Sequence, residues 1–308
     1  MMRVVIVGAG IVGLACALRL AREGARVTVL ESDPDDLHVF RAAASGAAAG
    51  MLAPFDSESS AHGELALASF DLWRTELAAP LREGLRFDGA VIACATERDA
   101  AALQARVMSF GRRVAPMTRG QAARRVGFPL DHALAVDDEG VADPIWTLGA
   151  LKLELRRLGA SILHDRDVAQ VTANQVRTFD GEVYEADRVV LAPGVWANAD
   201  LAHAAPALMH VRPAKGHLVA VIPAKPLEVT LHAPGFYLAR RREDVVLGAT
   251  MQFDRYERNV EEAQVQKLFA AADAAAPAAL KPAGRAWAGV RPMSPDGWPM
   301  VGESNGVL

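Results

Sequence analysis

Arg3-Val4-Val5-Ile6-Val7-Gly8-Ala9-Gly10-Ile11-Val12-Gly13 opens the chain: a nearly unbroken apolar run, then three glycines at GxGxxG spacing. A helical stretch follows from Ile11 to Glu23 and stops at Gly24. A second strand runs from Arg26 to Leu30, and Glu31 comes next. Each part of this strand–turn–helix–strand–acid order has a task in holding a dinucleotide. Gly8 permits the tight turn, Gly10 lets backbone approach a pyrophosphate, and Gly13 lets helix and strand pack closely. The free N–H groups at the helix start face phosphates, and Glu31 accepts hydrogen bonds from a ribose diol. An acid in that place argues against a 2′-phosphate and so against NADP. A plain tight turn in an α/β sheet is the blander reading, but it does not call for the acid at the end of the second strand. A signal peptide is not the expected reading of this stretch, because Arg22, Glu23 and Arg26 interrupt the apolar character and the glycines sit where a turn needs them.

The 308 residues leave room for two domains of ordinary size. The formal net charge of -4 is mixed in sign along the chain. No basic stripe suggests nucleic acid, and no apolar run is long enough to span a bilayer. Cys16 and Cys94 are far apart and form no redox or metal motif. Both read as packing residues, and a reducing cytoplasm is the expected location. The eight histidines show no ligand spacing, so no metal site is expected.

Further along, Ala44-Ser45-Gly46-Ala47-Ala48-Ala49-Gly50-Met51-Leu52-Ala53-Pro54 is too small and glycine-rich for a packing helix. It reads as a loop pressed against a flat ligand or a pyrophosphate. Leu65 to Leu77 is amphipathic, and Thr96 with Asp99 opens another helix. Thr118 to Arg125 forms a short one. Asp143-Pro144 reads as an N-cap followed by proline at the first helical position, with the helix ending at Gly159. Asp180-Gly181 marks a hairpin turn. Arg188 to Leu191 is a buried strand that ends in Ala192-Pro193-Gly194, the kind of turn where an open α/β sheet meets its ligand. Lys215 to Ile222, Phe236 to Ala239, Val245 to Thr250 and Ala286 to Val290 read as strands, and Val260 to Ala272 as a helix. Trp196 and Trp287 read as core.

These elements predict an α/β chain: a Rossmann-like nucleotide-binding domain with a discontinuous α+β substrate domain built on a mixed sheet. Residues 1–75, 140–205 and 285–308 are expected in the first domain, and 76–139 and 206–284 in the second.

Five segments taken in order resemble the D-amino-acid oxidase family of FAD flavoproteins, most closely its glycine-oxidising branch, which serves thiamine biosynthesis. They are Gly8 to Gly13 with Glu31-Ser32; Ser45 to Pro54; Val189 to Trp196; Tyr237 to Met251; and Gly289-Val290-Arg291-Pro292 with Pro295-Asp296-Gly297. The resemblance implies non-covalent FAD. It implies flavin-nucleotide contacts at Ile11, Val12, Glu31, Ser32, Ala44, Ser45, Ala49, Gly50 and Met51, with the backbone of Val168 meeting the adenine. The glycines Gly8, Gly10 and Gly13 and the turn residues Ala192 and Gly194 complete the expected cofactor set. Arg291 matches the family's carboxylate-binding arginine, Tyr237 a tyrosine on the same carboxylate, and Met251 a residue near the substrate side chain. A guanidinium fork is the natural receptor for a planar carboxylate.

The implied reaction is oxidation of an amino-acid Cα–N bond to an imine. Hydrolysis then gives the oxo acid and ammonia, and molecular oxygen is reduced to peroxide. The cofactor carries the hard step, so no nucleophile–base–acid set is needed. A homo-oligomer is also implied. Two alternatives stay open: an oxidase or dehydrogenase of the same family acting on D-amino acids, sarcosine or another N-substituted glycine, and an inactive nucleotide-binding protein. In the resembled family a strand, a Gly-His-Tyr-Arg-Asn-Gly-like turn and a flavin-facing helix follow the position of Leu308. A chain stopping at Leu308 is expected to expose a sheet edge.

Overall fold

A computed structural model describes residues 1–35, 44–55, 60–197 and 199–308. Arg188–Leu191, Arg3–Val7, Arg26–Leu30 and Ser161–Leu163 lie side by side in that order as a parallel sheet. The sheet is covered on both faces, which is why its strands read as continuous apolar runs. On one face Leu14 and Leu18 of helix Ile11–Arg22 pack with Leu148, Leu151 and Leu155 of helix Pro144–Arg157 against Val4, Ile6, Val27 and Val29. On the other face Val5, Val7, Leu30 and Val189 meet Val168, Val171 and Val176 from a three-stranded antiparallel sheet.

The expected glycine tasks at the first turn have a measurable basis. Gly8 sits at φ +103°, and a Cβ there would lie 2.4 Å from the Ala192 carbonyl oxygen. A Cβ on Gly13 would lie 1.9 Å from the Gly8 carbonyl oxygen. Neither distance is tolerable, so turn, helix and the neighbouring strand end meet backbone to backbone.

The second large sheet has nine strands and mixed direction. Its longest ladder joins Arg212–Pro223 to Leu280–Met293, antiparallel along most of both strands. The last strand is therefore longer than the Ala286 to Val290 read from sequence. The sheet's inner face packs Val219, Val221, Leu238 and Leu247 against Val265, Leu268 and Ala272 of helix Glu262–Ala275.

Three local expectations change. The Ala44 to Pro54 stretch is not all loop: Ala44–Ala47 makes a helical turn, and Met51–Leu52 pairs with Gly140–Ala142. Gly50 allows that pairing, since at φ +85° its missing Cβ would lie 2.1 Å from the Ala142 oxygen. Asp143 precedes helix Pro144–Arg157 as read, but its carboxylate caps nothing in that helix; it accepts the Arg242 N–H at 3.3 Å instead. Trp196 is not core: it is 43% exposed. At the edge of the parallel sheet, Leu308 N–H donates to Val189 O (3.0 Å) and Leu191 N–H to Leu308 O (2.7 Å). Residues 307–308 thus pair with the Arg188–Leu191 edge of that sheet.

Thr96 caps helix Glu97–Ser109 by accepting from the Asp99 N–H, and Thr118 with Gln121 forms a capping box on Arg119–Val126.

Candidate active site

At the carboxyl end of the first strand, the helix N-terminus is held by two side chains from elsewhere. Ala9 N–H donates to Glu31 Oε2 at 2.6 Å, and Ile11 N–H donates to Ser45 Oγ at 2.9 Å. Gly10 has no side chain to shield the turn, and Val12 is 64% exposed at the first helical turn. Ser32 Oγ donates to Glu31 Oε1 at 3.3 Å. Arg166 N–H donates to the Glu31 carbonyl at 2.8 Å, which brings the start of strand Val168–Thr172 alongside Glu31. Ala192 N–H donates to the Val7 carbonyl, so the Ala192–Gly194 turn adjoins Gly8. Backbone, small residues and one acid therefore converge, as an extended dinucleotide requires.

A small cavity here is lined by Ala9, Gly10, Glu31, Asp33, Pro34, Ser45, Lys152 and His164. Five of these, Ala9, Asp33, Pro34, Lys152 and His164, are not among the site residues expected from sequence. His164 Nδ1 lies 2.9 Å from the Asp33 carbonyl oxygen and so carries the proton, leaving Nε2 to accept from Lys152 Nζ at 3.2 Å. Lys152 also donates to Asp35 at 3.0 Å and, through that hydrogen bond, holds its carboxyl below the usual range. Burial first, and then the neighbouring Glu31 charge, push the Asp33 carboxyl up. His164 follows strand Ser161–Leu163 directly, so the rule that ligands gather at the carboxyl ends of parallel strands would have found it.

The residues expected on the substrate side belong to the nine-stranded sheet or border it. Arg291 stands opposite Ala214, Gly289 opposite Gly216, and Trp287 opposite Leu218. Tyr237 stands opposite Gly248. Directly opposed residues share a face, so Arg291, Gly289, Trp287 and Leu218 lie on one side of the ladder. Leu218 in turn clusters with Ala49, Met51, Tyr237 and Trp287. Gly248 leaves room for the tyrosine, because a Cβ there would lie 2.6 Å from its hydroxyl. Met251 is half exposed, immediately before Gln252–Phe253, which pairs with Ala214–Lys215.

The glycine-rich stretch meets this face directly. Trp287 Nε1–H donates to the Ala47 carbonyl at 2.8 Å, and a Cβ on Gly289 would lie 2.5 Å from the Ala47 Cβ. Ala44, Ser45, Ala49, Gly50 and Met51 therefore bridge the dinucleotide turn at one end and the Tyr237–Trp287 face at the other. Arg291 is exposed, and its guanidinium makes no hydrogen bond or ion pair among the described residues. Its charge is free for a ligand. Val168 belongs to the opposite, Glu31 end and is not part of this cluster.

Residues 3–308 match the family model described as FAD dependent oxidoreductase, and the chain belongs to that family. It is an FAD-dependent enzyme of the oxidoreductase class, and the cradle without side chains at Gly8, Gly10 and Gly13 fits that cofactor. Among its relatives, a glycine oxidase from Geobacillus kaustophilus is 30% identical over 322 residues, covering 97% of this chain and 84% of that protein. A bifunctional ThiO/ThiG protein from Nostoc sp. is 28% identical over 344 residues, covering 98% of this chain. The chain spans about half the length of that bifunctional relative, 48%. The crystal structure of the Geobacillus kaustophilus glycine oxidase superimposes with a TM-score of 0.85 at 28% identity, covering all of this chain and 88% of that one.

Among the described residues no helix is long and apolar enough to cross a membrane.

Proposed function

We propose that this chain catalyses oxidative deamination of glycine or another small amino acid to the oxo acid, ammonia and hydrogen peroxide, in the supply of thiamine precursors. The observation that carries the reading is the uncommitted Arg291 guanidinium on the face where Met51, Tyr237 and Trp287 meet. The named activity of the glycine oxidase and ThiO/ThiG relatives supports it.

When bound, FAD supplies the two-electron acceptor for the Cα–N bond. The chain's part is placement. Arg291 binds the substrate carboxylate through its fork, Tyr237 adds a hydroxyl, and Met251 limits room beside the side chain. Such positioning lowers the barrier by removing the orientational cost from the chemical step. Glu31, Ser32 and Val168 hold the adenosine end. Gly8, Gly10, Ile11, Val12, Gly13, Ala192 and Gly194 hold the pyrophosphate, and Ala44 to Met51 lies along the ring system. In this reading the parallel sheet with residues 1–75, 140–205 and 285–308 is the cofactor domain. Residues 76–139 and 206–284 form the substrate domain. The enzyme works in the cytoplasm as a homo-oligomer.

The test is the visible spectrum of the purified chain, followed by anaerobic addition of glycine. Flavin bands that bleach with glycine support the reading. Flavin bands that bleach only with a D-amino acid or sarcosine transfer the assignment to that substrate. Bands that no amino acid bleaches refute it.

A further inference from the structure

One buried charged cluster has no part in the scheme above. Lys215 lies near the start of strand Arg212–Pro223 in the nine-stranded sheet and is fully buried. Its ammonium donates to Glu261 Oε1 at 2.7 Å and Asn259 Oδ1 at 3.1 Å. Glu261 also receives Gln252 Nε2 at 3.1 Å and Arg255 Nη2 at 3.1 Å. The Glu261 backbone N–H donates to His217 Nε2 at 3.2 Å, and His217 Nδ1 lies 2.8 Å from Thr250 Oγ1. An unpaired buried ammonium would be strongly unfavourable, so Lys215 holds Asn259 and Glu261 firmly in place. At its other end the same segment is fixed by Gln252–Phe253 on Ala214–Lys215 and by Asp254 N–H on the Pro213 carbonyl.

What this double anchorage holds out is Arg258. Its guanidinium carbon lies 4.7 Å from the centre of the Trp196 ring. Trp196 sits two residues past Gly194, in the turn beside Gly8, and Tyr256 packs on its ring at 6.2 Å. Among the described residues Arg258 has no carboxylate partner within ion-pair distance. It is near enough to the acidic end of the groove for its charge to act on Asp33. A cation from the segment between Phe253 and Glu262 thus stands beside the Ala192–Gly194 turn, seated on an aromatic face.

We propose that Arg258 is a clamp for the diphosphate of the bound FAD, with Trp196 as its seat and the Lys215–Glu261 pair as its anchor. This rests on the assignment of the groove as the FAD site. A guanidinium is suited to a diphosphate because it donates two parallel hydrogen bonds to anionic oxygens. It would close the groove opposite the helix N-terminus, so that the phosphates are bound from both sides.

The experiment is flavin-fluorescence titration of the apoprotein with FAD and with riboflavin, and calorimetric titration with ADP, for wild type, R258A and R258K. The expected result is an R258A dissociation constant about tenfold or more higher for FAD and ADP, equivalent to ~1.4 kcal/mol. R258K should recover part of it, and riboflavin binding should not change. A shallower salt dependence of FAD binding in R258A should accompany the loss. Unchanged FAD and ADP affinities overturn the clamp. So does an equal loss for riboflavin, which would make Arg258 a packing residue only. Wild-type protein that binds none of these ligands would instead overturn the assignment of the groove itself.

Discussion

Replacing Arg291 by alanine isolates the carboxylate contact. Among the described residues the guanidinium has no partner, and it is exposed on strand Leu280–Met293. Its removal therefore leaves no buried charge unpaired and should hardly affect folding. The loss should fall on substrate. Two charge-assisted hydrogen bonds contribute about 1.5–3 kcal/mol each. At an exposed position the low end applies, giving a total of about 3 kcal/mol, or roughly a hundredfold in kcat/KM. Arg291→Lys retains charge without the fork and should still lose about tenfold. The assay is peroxide release against glycine concentration, with the flavin spectrum and thermal unfolding of each variant measured alongside. Normal kcat/KM in a flavin-loaded Arg291→Ala enzyme would refute the placement of the carboxylate. Equal loss of flavin would show that the residue acts on the cofactor instead.

Gly13→Ala forces a methyl group to within 1.9 Å of the Gly8 oxygen; helix and turn must separate, costing about 1–3 kcal/mol, and FAD titration should show weakened binding together with a lower urea midpoint. Trp287→Phe removes the 2.8 Å hydrogen bond to the Ala47 carbonyl, which should lower stability by about 1 kcal/mol in urea denaturation. An unchanged midpoint would mean that this bond does not hold the two parts together. The Lys215 ammonium lowers the Glu261 carboxyl to about 2. A carboxyl depressed in the folded state contributes stability fully above its unfolded value of about 4.3. That contribution is lost as pH falls toward 2, so Glu261→Gln should flatten the acid limb of a stability-against-pH curve between those values. A limb as steep as that of wild type would argue against the pair.

Much of the turn proposed to hold the nucleotide was legible because its determinants are local. Gly8, Gly10, Gly13 and Glu31 lie within one strand–helix–strand unit, and the geometry that excludes a Cβ is set by neighbours close in sequence or by the adjoining strand. The hydrophobic period also marked the helices well, since burial of one face dictates their spacing. Asp143 shows the limit. Its residue type suits an N-cap, but the Arg242 N–H, 99 positions away, takes its carboxylate.

By itself, then, the sequence determined the glycine turn, the parallel strands and, through family resemblance, the identity of Arg291 and Tyr237 as candidates. Only the tertiary structure decided that Ala47 presses on Gly289 and Trp287, that Lys152 and His164 line the cavity beside Glu31, and that Arg258 stands on Trp196. The reason is physical. A turn is specified by the backbone conformations its own residues permit, whereas the use of a cation depends on which distant strands and loops surround it. The charges of Lys215, Arg258 and Arg291 are alike in sequence. Burial against Glu261 makes one an anchor, an aromatic face seats the second, and freedom from any described partner leaves the third open to a ligand.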